Sequence, residues 1–379
     1  MTIAFASADH LVIGGGPAGS MAAMRLAETD GRVVLLEKER VAHHKVCGEF
    51  LSREAVHYLH QVGIDPSRLG ATTIDNVRLS YGRRVTAAAL PFQALSLSRR
   101  TLDEALLVRA AEKGCNLVRG VAVESLAAER DGWIARLSNG ECLQARTVFL
   151  ATGKHDLRGW PRGEGKQNDL VGFKMLWKLA PAQIRDLRDA MDLFLFTGGY
   201  GGLSLIEGDV ANLCLVVRRC ALRNLGGWPE LLAAILAGNR HLRRLLDGAN
   251  PLWSRPLAVS PIPYGYLAAQ DCRLWCVGDQ AAVIPSFTGD GISIALHSAA
   301  LAAKMFLSGA SATEFNRTLR AQLRRPMALA TRLSRAAVTG PGRTAAMLAV
   351  SLLPNIMQLV ASSTRIPLRS LLRPVSLLM

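Results

Sequence analysis

The chain has 379 residues, half of them hydrophobic, and 45 Lys+Arg against 30 Asp+Glu give a formal net charge of +15. That apolar content supports a large core and excludes both a disordered chain and a small disulfide-stapled one. The seven cysteines (Cys47, Cys115, Cys142, Cys214, Cys220, Cys272, Cys276) are odd in number and contain no C-x-x-C, so no metal site is expected and a reducing, cytoplasmic setting fits. No basic-then-apolar leader pattern opens the chain.

In chain order, His10–Ile13 predicts a first strand, Pro17–Glu28 a helix with Ala22, Ala23, Leu26 and Ala27 on a small-residue face, and Arg32–Glu37 a second strand. Together they form one βαβ unit of a parallel sheet. The spacing of Leu102, Leu106, Leu107 and Ala110 predicts a helix over Thr101–Lys113, ended by Gly114. Short strands follow near 116–119, 121–127, 133–137 and 147–150. The middle, 170–259, reads as an α+β insertion, with strands at 193–196 and 211–217 and helices at 229–236 and 240–246. A buried strand at 273–277 and a helix over 289–306 close the body.

Gly14-Gly-Gly16-Pro17-Ala18-Gly19 is a G-x-G-x-x-G with the context that gives it meaning: a strand before, a helix after, and Glu37 ending the next strand. Glycines allow the tight turn and the close approach of a pyrophosphate, the helix N-terminus favours its charge, and Glu37 is placed to accept from a ribose. A second signature comes about 260 residues later. Leu274–Val277 runs into Gly278-Asp279, and Thr288-Gly289-Asp-Gly291-Ile292 then opens a helix.

These two motifs resemble those of the para-hydroxybenzoate-hydroxylase-like superfamily of FAD enzymes, which includes aromatic hydroxylases, flavin halogenases and geranylgeranyl reductases. The resemblance implies that Asp279 binds the ribityl chain of FAD and that Pro285, Gly289, Gly291 and Ile292 lie beside the pyrophosphate and isoalloxazine. Ser98-Arg99-Arg-Thr-Leu-Asp103 is similar to a family segment whose Arg contacts the cofactor. Leu150-Ala-Thr-Gly153 is similar to the strand end that passes the adenine side. Lys45-Val-Cys47-Gly48-Glu49 resembles a loop of the geranylgeranyl-reductase branch near the flavin ring, where Cys47 either faces the reacting groups or is a small buried hydrophobe. Lys38 and Val123 complete the implied cofactor set. Ile292-Ser293, where aromatic hydroxylases usually have Asn, favours the reductase branch.

The resemblance covers roughly residues 8–330 and has gaps. Tyr200-Gly-Gly202-Leu-Ser204-Leu stands where geranylgeranyl reductases carry Y-x-W-x-F-P, and the halogenase W-x-W-x-I-P is absent. The hydroxylase D-G stretch reads Ala151-Thr-Gly-Lys154-His155-Asp156. No second G-x-G-x-x-G follows a strand, so NAD(P)H is expected only as a transient reductant. His155 and His297 are candidates for a base.

After Glu314 the chain has no Asp or Glu but ten arginines, and residues 344–364 form a 21-residue uncharged run interrupted by Pro354, Asn355 and Gln358. The interruptions argue against a membrane span, whereas mixed arginine and leucine fit an interfacial segment. Peripheral contact with an anionic membrane and capping of a substrate pocket are the two readings of this tail. No nucleic-acid module accompanies the charge, so no nucleic-acid partner is expected.

The expectation is an α/β fold: a Rossmann-like FAD-binding domain (1–75, 96–160, 262–330), an inserted α+β substrate domain (76–95, 161–261) and a helical basic tail (331–379). Its expected activity is that of an FAD-dependent oxidoreductase on a hydrophobic lipid-like, prenyl or polyketide-derived substrate. Monooxygenation and membrane-associated flavin electron transfer are the alternatives.

Overall fold

The computed structural model describes residues 7–269 and 274–373; Cys272, Arg273 and residues 374–379 of the tail lie outside them. In chain order the longer strands are β1 (Ser7–Ile13), β2 (Val33–Glu37), β3 (Thr72–Tyr81), β4 (Arg84–Ser96), β5 (Asn116–Arg119), β6 (Val123–Glu129), β7 (Gly132–Leu137), β8 (Cys142–Leu150), β9 (Leu170–Lys178), β10 (Asp189–Phe196), β11 (Gly199–Ile206) and β12 (Val210–Arg218), followed by the short β13 (Trp275–Cys276). The helices that shape the site are α1 (Pro17–Leu26), α2 (Arg53–Gln61), α3 (Arg99–Glu112), α4 (Gly291–Leu307), α5 (Ala312–Ala337), α6 (Gly340–Leu352) and α7 (Asn355–Ser363).

The first sheet runs β5-β2-β1-β8 in parallel. Its central strand β1 buries Leu11 and Val12 completely, on opposite faces, as a doubly covered parallel strand requires. The outer edge of β8 is divided: its first half pairs antiparallel with β7, and Phe149 and Leu150 pair parallel with Trp275 and Cys276 of β13. The β6–β7 hairpin therefore peels away and leaves the end of β8 to the late Gly-Asp segment. Small residues let α1 and α4 pack closely beneath the sheet, with Ala22, Ala23, Ala299, Ala302 and Ala303 fully buried.

The second sheet runs β9-β12-β11-β10-β3-β4, antiparallel except for β10 on β3. Alternation sorts its two faces. Phe173, Met175, Phe194, Phe196, Leu213 and Leu215 meet the helices between Pro181 and Leu245. Leu195, Tyr200 and Val216 face the other way, toward Tyr264 and toward Met347, Val350 and Met357 of α6 and α7. Phe50–Leu51 adds to the β4 edge and stitches the Cys47 loop onto this sheet.

Some boundaries and elements differ from expectation for local reasons. Helix α3 starts at Arg99, not Thr101, because the Ser98 hydroxyl accepts from the Thr101 N–H and caps the end. Helix α4 starts at Gly291, not Gly289, because Gly289 has φ +69°. Helix α1 stops at Leu26, two residues short of Glu28. The hairpin β3–β4 carries no strong strand signal: Ala87–Ala89 are poor strand formers, Pro91 interrupts, and much of its outer edge is exposed.

Lys174 stands in β9 between Phe173 and Met175 and is fully buried, in an ion pair with the equally buried Glu49. The Arg99 N–H donates to the same Glu49 oxygen at 2.8 Å. Replacing Lys174 with Met strands a buried carboxylate and should cost about 3–5 kcal/mol. Glu49→Gln in that background should restore part of the loss. Chemical denaturation of the three proteins checks this, and an unchanged midpoint for Lys174→Met would contradict it.

Candidate functional site

The glycine turn is built by exclusion. Gly14 has φ +106°, and a Cβ there would lie 2.5 Å from the Ala151 carbonyl oxygen. A Cβ on Gly19 would come within 1.7 Å of the Gly14 oxygen. Strand end and helix start are thus held together only because both side chains are absent. Helix α1 then begins at Pro17 with no side-chain cap and no acidic residue in its first turn, an arrangement open to a phosphate.

Charge converges on this turn. Glu37, buried at the end of β2, accepts from the Gly15 N–H at 2.9 Å and from the Glu39 N–H at 3.0 Å, which fixes its carboxylate at the rim. Arg99 reaches to 3.3 Å from where a Gly16 Cβ would stand. Asp103 holds Arg99 at 2.7 Å and Lys45 at 2.9 Å. Burial opposes the Arg99 charge, but Asp103 outweighs it and leaves the guanidinium more firmly protonated than usual. The cluster is net positive beside the turn, which suits a pyrophosphate.

The late motif closes the opposite wall. Gly278 has φ +62°, and a Cβ there would meet the Ala18 Cβ at 2.9 Å. Asp279 follows, half-buried, on the cavity wall. Gly289 lies so close to Phe50 that a Cβ would touch its ring at 2.5 Å. The loop after β8 is tied to this wall, since Gln280 donates to the carbonyls of Gly153 and His155, and Arg162 donates to those of Lys154 and Asp279.

These walls enclose one cavity of about 1070 Å³. Gly14, Gly16, Pro17, Ala18, Glu37, Lys38, Cys47, Gly48, Arg99, Val123, Gly153, Gly278, Asp279, Gly289, Gly291 and Ile292 all line it. Two predicted residues do not. Gly19 serves the close packing of the turn, and Pro285 is buried at the start of a 3-10 turn, where its carbonyl accepts from Thr288. Of the two histidines, His155 lines the cavity, and burial and nearby cations lower its pKa. His297 lies off the cavity, bonded to Tyr58 at 2.6 Å and Gln322 at 2.8 Å, in a structural role.

Residues with no role assigned from the sequence also shape the site. Glu49 adopts φ +60°, uncommon for a side chain of its size, and its second carboxylate oxygen is buried with no hydrogen-bond partner among the described residues. Burial raises its pKa, against the pull of Lys174. His44 lines the cavity as well; burial and Lys174 bring its pKa down to about 4, so it is neutral near pH 7. Asp290, at the start of α4, accepts from the Ile366 N–H at 3.2 Å and pairs with Arg365 at 3.4 Å, with Glu54 close by. Burial pushes Asp290 up to about 7 despite Arg365.

The steric cradle at Gly14 and Gly19, the anchored Glu37 and the cationic cluster at Arg99 fit a dinucleotide pyrophosphate and ribose. Residues 7–149 match the family model described as FAD binding domain. The chain therefore carries an FAD-binding domain over those residues. Among curated relatives, the flavoprotein is 27% identical over 216 residues to protein FixC of Escherichia coli O157:H7, a match covering 53% of this chain and 49% of FixC. The chain thus spans about half the length of the FixC proteins it matches. It is 25% identical to the probable electron transfer flavoprotein-quinone oxidoreductase YdiS of Escherichia coli K12, over 84% of this chain and 81% of that one. It is 24% identical to the digeranylgeranylglycerophospholipid reductase of Methanocaldococcus jannaschii, over 76% and 74%. The fold is shared with a geranylgeranyl bacteriochlorophyll reductase-like protein of Thermoplasma acidophilum, at TM-score 0.70, 19% identity and coverage of 98% and 96%.

Two predictions test the site. Gly14→Ala forces a strained φ and a backbone clash, and FAD titration should show binding weakened roughly 10–100-fold. FAD binding unchanged within error would remove the turn from the cofactor site. The Asp290 carboxyl keeps its proton in the folded state up to about pH 7, whereas its ordinary value is 3.8. Its contribution to stability is therefore present at low pH and is lost as pH rises through that window. Melts of wild type and Asp290→Asn from pH 5 to 8 should show the variant gaining on wild type as pH increases; a constant difference would refute this.

Proposed function

We propose that this flavoprotein is an NAD(P)H-fed reductase of a hydrophobic, lipid-like substrate of the prenyl or polyketide-derived kind. The observation that carries the reading is the continuity of the cavity. It runs from the glycine turn and Glu37 into a chamber walled by Leu79, Leu90, Leu193, Val259, Ile262, Val283, Phe287 and Met357. The carboxylates that line it, Glu37, Glu39, Glu49, Asp156 and Asp279, lie at the dinucleotide end and in the Cys47 loop; the second sheet and the tail helices contribute none. An apolar chamber with few polar groups selects an apolar substrate.

Bound FAD supplies two-electron transfer between a nicotinamide and a substrate double bond. The protein supplies position, dryness and a small set of hydroxyls. Tyr200 reaches Ser334 at 3.0 Å, and burial pushes its pKa up to about 12 and that of Tyr264 well above the usual range. Both phenols keep their protons and are suited to donating to a substrate. On β11, Gly202 and Ser204 stand where the geranylgeranyl-reductase pattern has Trp and Phe, which leaves width for a branched chain. The similarity to the Methanocaldococcus reductase supports this reading. Electron transfer to a quinone is a second reading, favoured by the similarity to YdiS, and a quinone would occupy the same chamber.

The test is spectroscopic. Adding NADPH anaerobically should bleach the flavin bands, and a prenylated alkene should restore them with formation of the saturated product. Restoration by quinone alone would select electron transfer, and oxygen uptake coupled to a hydroxylated product would select monooxygenation. A Cβ at Gly202 would press the Met191 sulfur at 3.3 Å, a flexible side-chain end that has to give by a few tenths of an ångström. Gly202→Trp should then fill the chamber and lower kcat/KM for a long substrate roughly tenfold or more, with FAD absorbance unchanged. Unaltered kinetics would place the substrate elsewhere.

A further inference from the structure

Helices α6 and α7 meet at a sharp corner of 115°, at Leu352-Leu353-Pro354. No single helix among the described residues is long and apolar enough to cross a bilayer. The two helices have two apolar faces. Ala346, Ala349, Val350, Met357 and Val360 line the cavity. Leu348, Leu352 and Leu359 of the helices, with Leu353 at the corner and Leu368 just beyond α7, are each at least half exposed. These five fall within a 21-residue stretch, yet they are half of the ten exposed large apolar side chains among the described residues. Isolated exposed leucines need no explanation, but a cluster at one corner does.

Charge identifies what covers the corner. Six exposed arginines lie along α5, from Arg317 to Arg335, immediately before α6 in the chain, and Arg369 and Arg373, also exposed, follow α7. No carboxylate occurs after Glu314 to neutralise them. Apolar side chains at a bend, in a segment flanked along the chain by exposed arginines and without carboxylates, match the interfacial layer of an anionic bilayer, with leucines among acyl chains and arginines among phosphates.

We propose that the α6–α7 corner is a docking surface for an anionic phospholipid membrane. Leu352, Leu353 and Leu359 enter the interfacial layer, and Arg369 and Arg373 lie at the headgroups. Because the same helices wall the apolar chamber, docking sets the chamber against the bilayer; this last step rests on the lipid-substrate reading, whereas the docking itself does not.

Full-length FAD-loaded protein is co-sedimented with vesicles of phosphatidylcholine alone and of phosphatidylcholine mixed with phosphatidylglycerol. Wild type should partition to the phosphatidylglycerol vesicles and far less to phosphatidylcholine. Replacing Leu352, Leu353 and Leu359 with Ser should lower partitioning at least tenfold with flavin absorbance retained. Arg369→Gln and Arg373→Gln should each weaken it roughly fivefold at low salt. Leu353→Trp is an independent probe, whose added emission should shift to the blue on phosphatidylglycerol vesicles. Equal sedimentation of wild type and the triple variant would overturn the proposal. So would no partitioning of wild type, or a dimer that the triple variant dissolves, because the leucines would then cover a second copy. Turnover is not measured, so failure of the docking and failure of the reductase reading are separate results.

Discussion

The meeting of the two sheets depends on one buried ion pair. Glu49 lies in the loop that follows Cys47, and Lys174 lies in the middle of β9, so the pair spans the join between the dinucleotide crevice and the substrate sheet. Neither group is solvated, and each makes the other tolerable. The Arg99 N–H adds a third partner, which fixes the start of α3 and, through it, the guanidinium beside the glycine turn. The cavity is therefore continuous because its two ends share a carboxylate. That carboxylate also explains why a non-glycine residue is kept at φ +60°: the backbone conformation directs the side chain inward, where three elements converge.

Around that lock, the two halves of the site use different physics. The dinucleotide end is polar and defined by absence, with glycines whose missing side chains set the spacing and a few anchored charges. The chamber is apolar and defined by alternation on β10–β12, closed by tail helices that present alanine, valine and methionine inward. A cofactor that carries a charged pyrophosphate and a planar aromatic ring matches this gradient, and so does a substrate that enters from the apolar side.

The parts of this arrangement that were legible in the sequence depend on local chemistry. Gly14, Gly16, Gly19 and Glu37 belong to one βαβ unit, and each is required by its own turn or strand end. Gly278-Asp279 is similarly self-contained. Arg99 was legible because its helix start repeats a family pattern. What stayed hidden depends on distant partners. Lys174 is a lone charge in an apolar strand, and its meaning comes from Glu49, 125 positions earlier. Asp290 owes its environment to Arg365 and Ile366, more than seventy positions later. The β3–β4 hairpin was hidden for another reason: alanines and an interrupting proline give weak local preference, and sheet pairing alone makes it a strand. Pro285 and Gly19 sit in cofactor motifs but off the cavity wall, where the structure gives them packing contacts.

The tie between Asp290 and Arg365–Ile366 also bears on how the molecule is made. The turn that opens α4 at the cavity wall is completed by residues near the far end of the described chain. During synthesis the glycine turn and first sheet emerge early, but the carboxylate at the start of α4 has no partner until Arg365 has left the ribosome. The crevice is thus assembled in two stages separated by most of the chain's translation. FAD captured before the second stage would sit in a site whose Asp290 lacks its Arg365 and Ile366 partners and whose chamber wall is open.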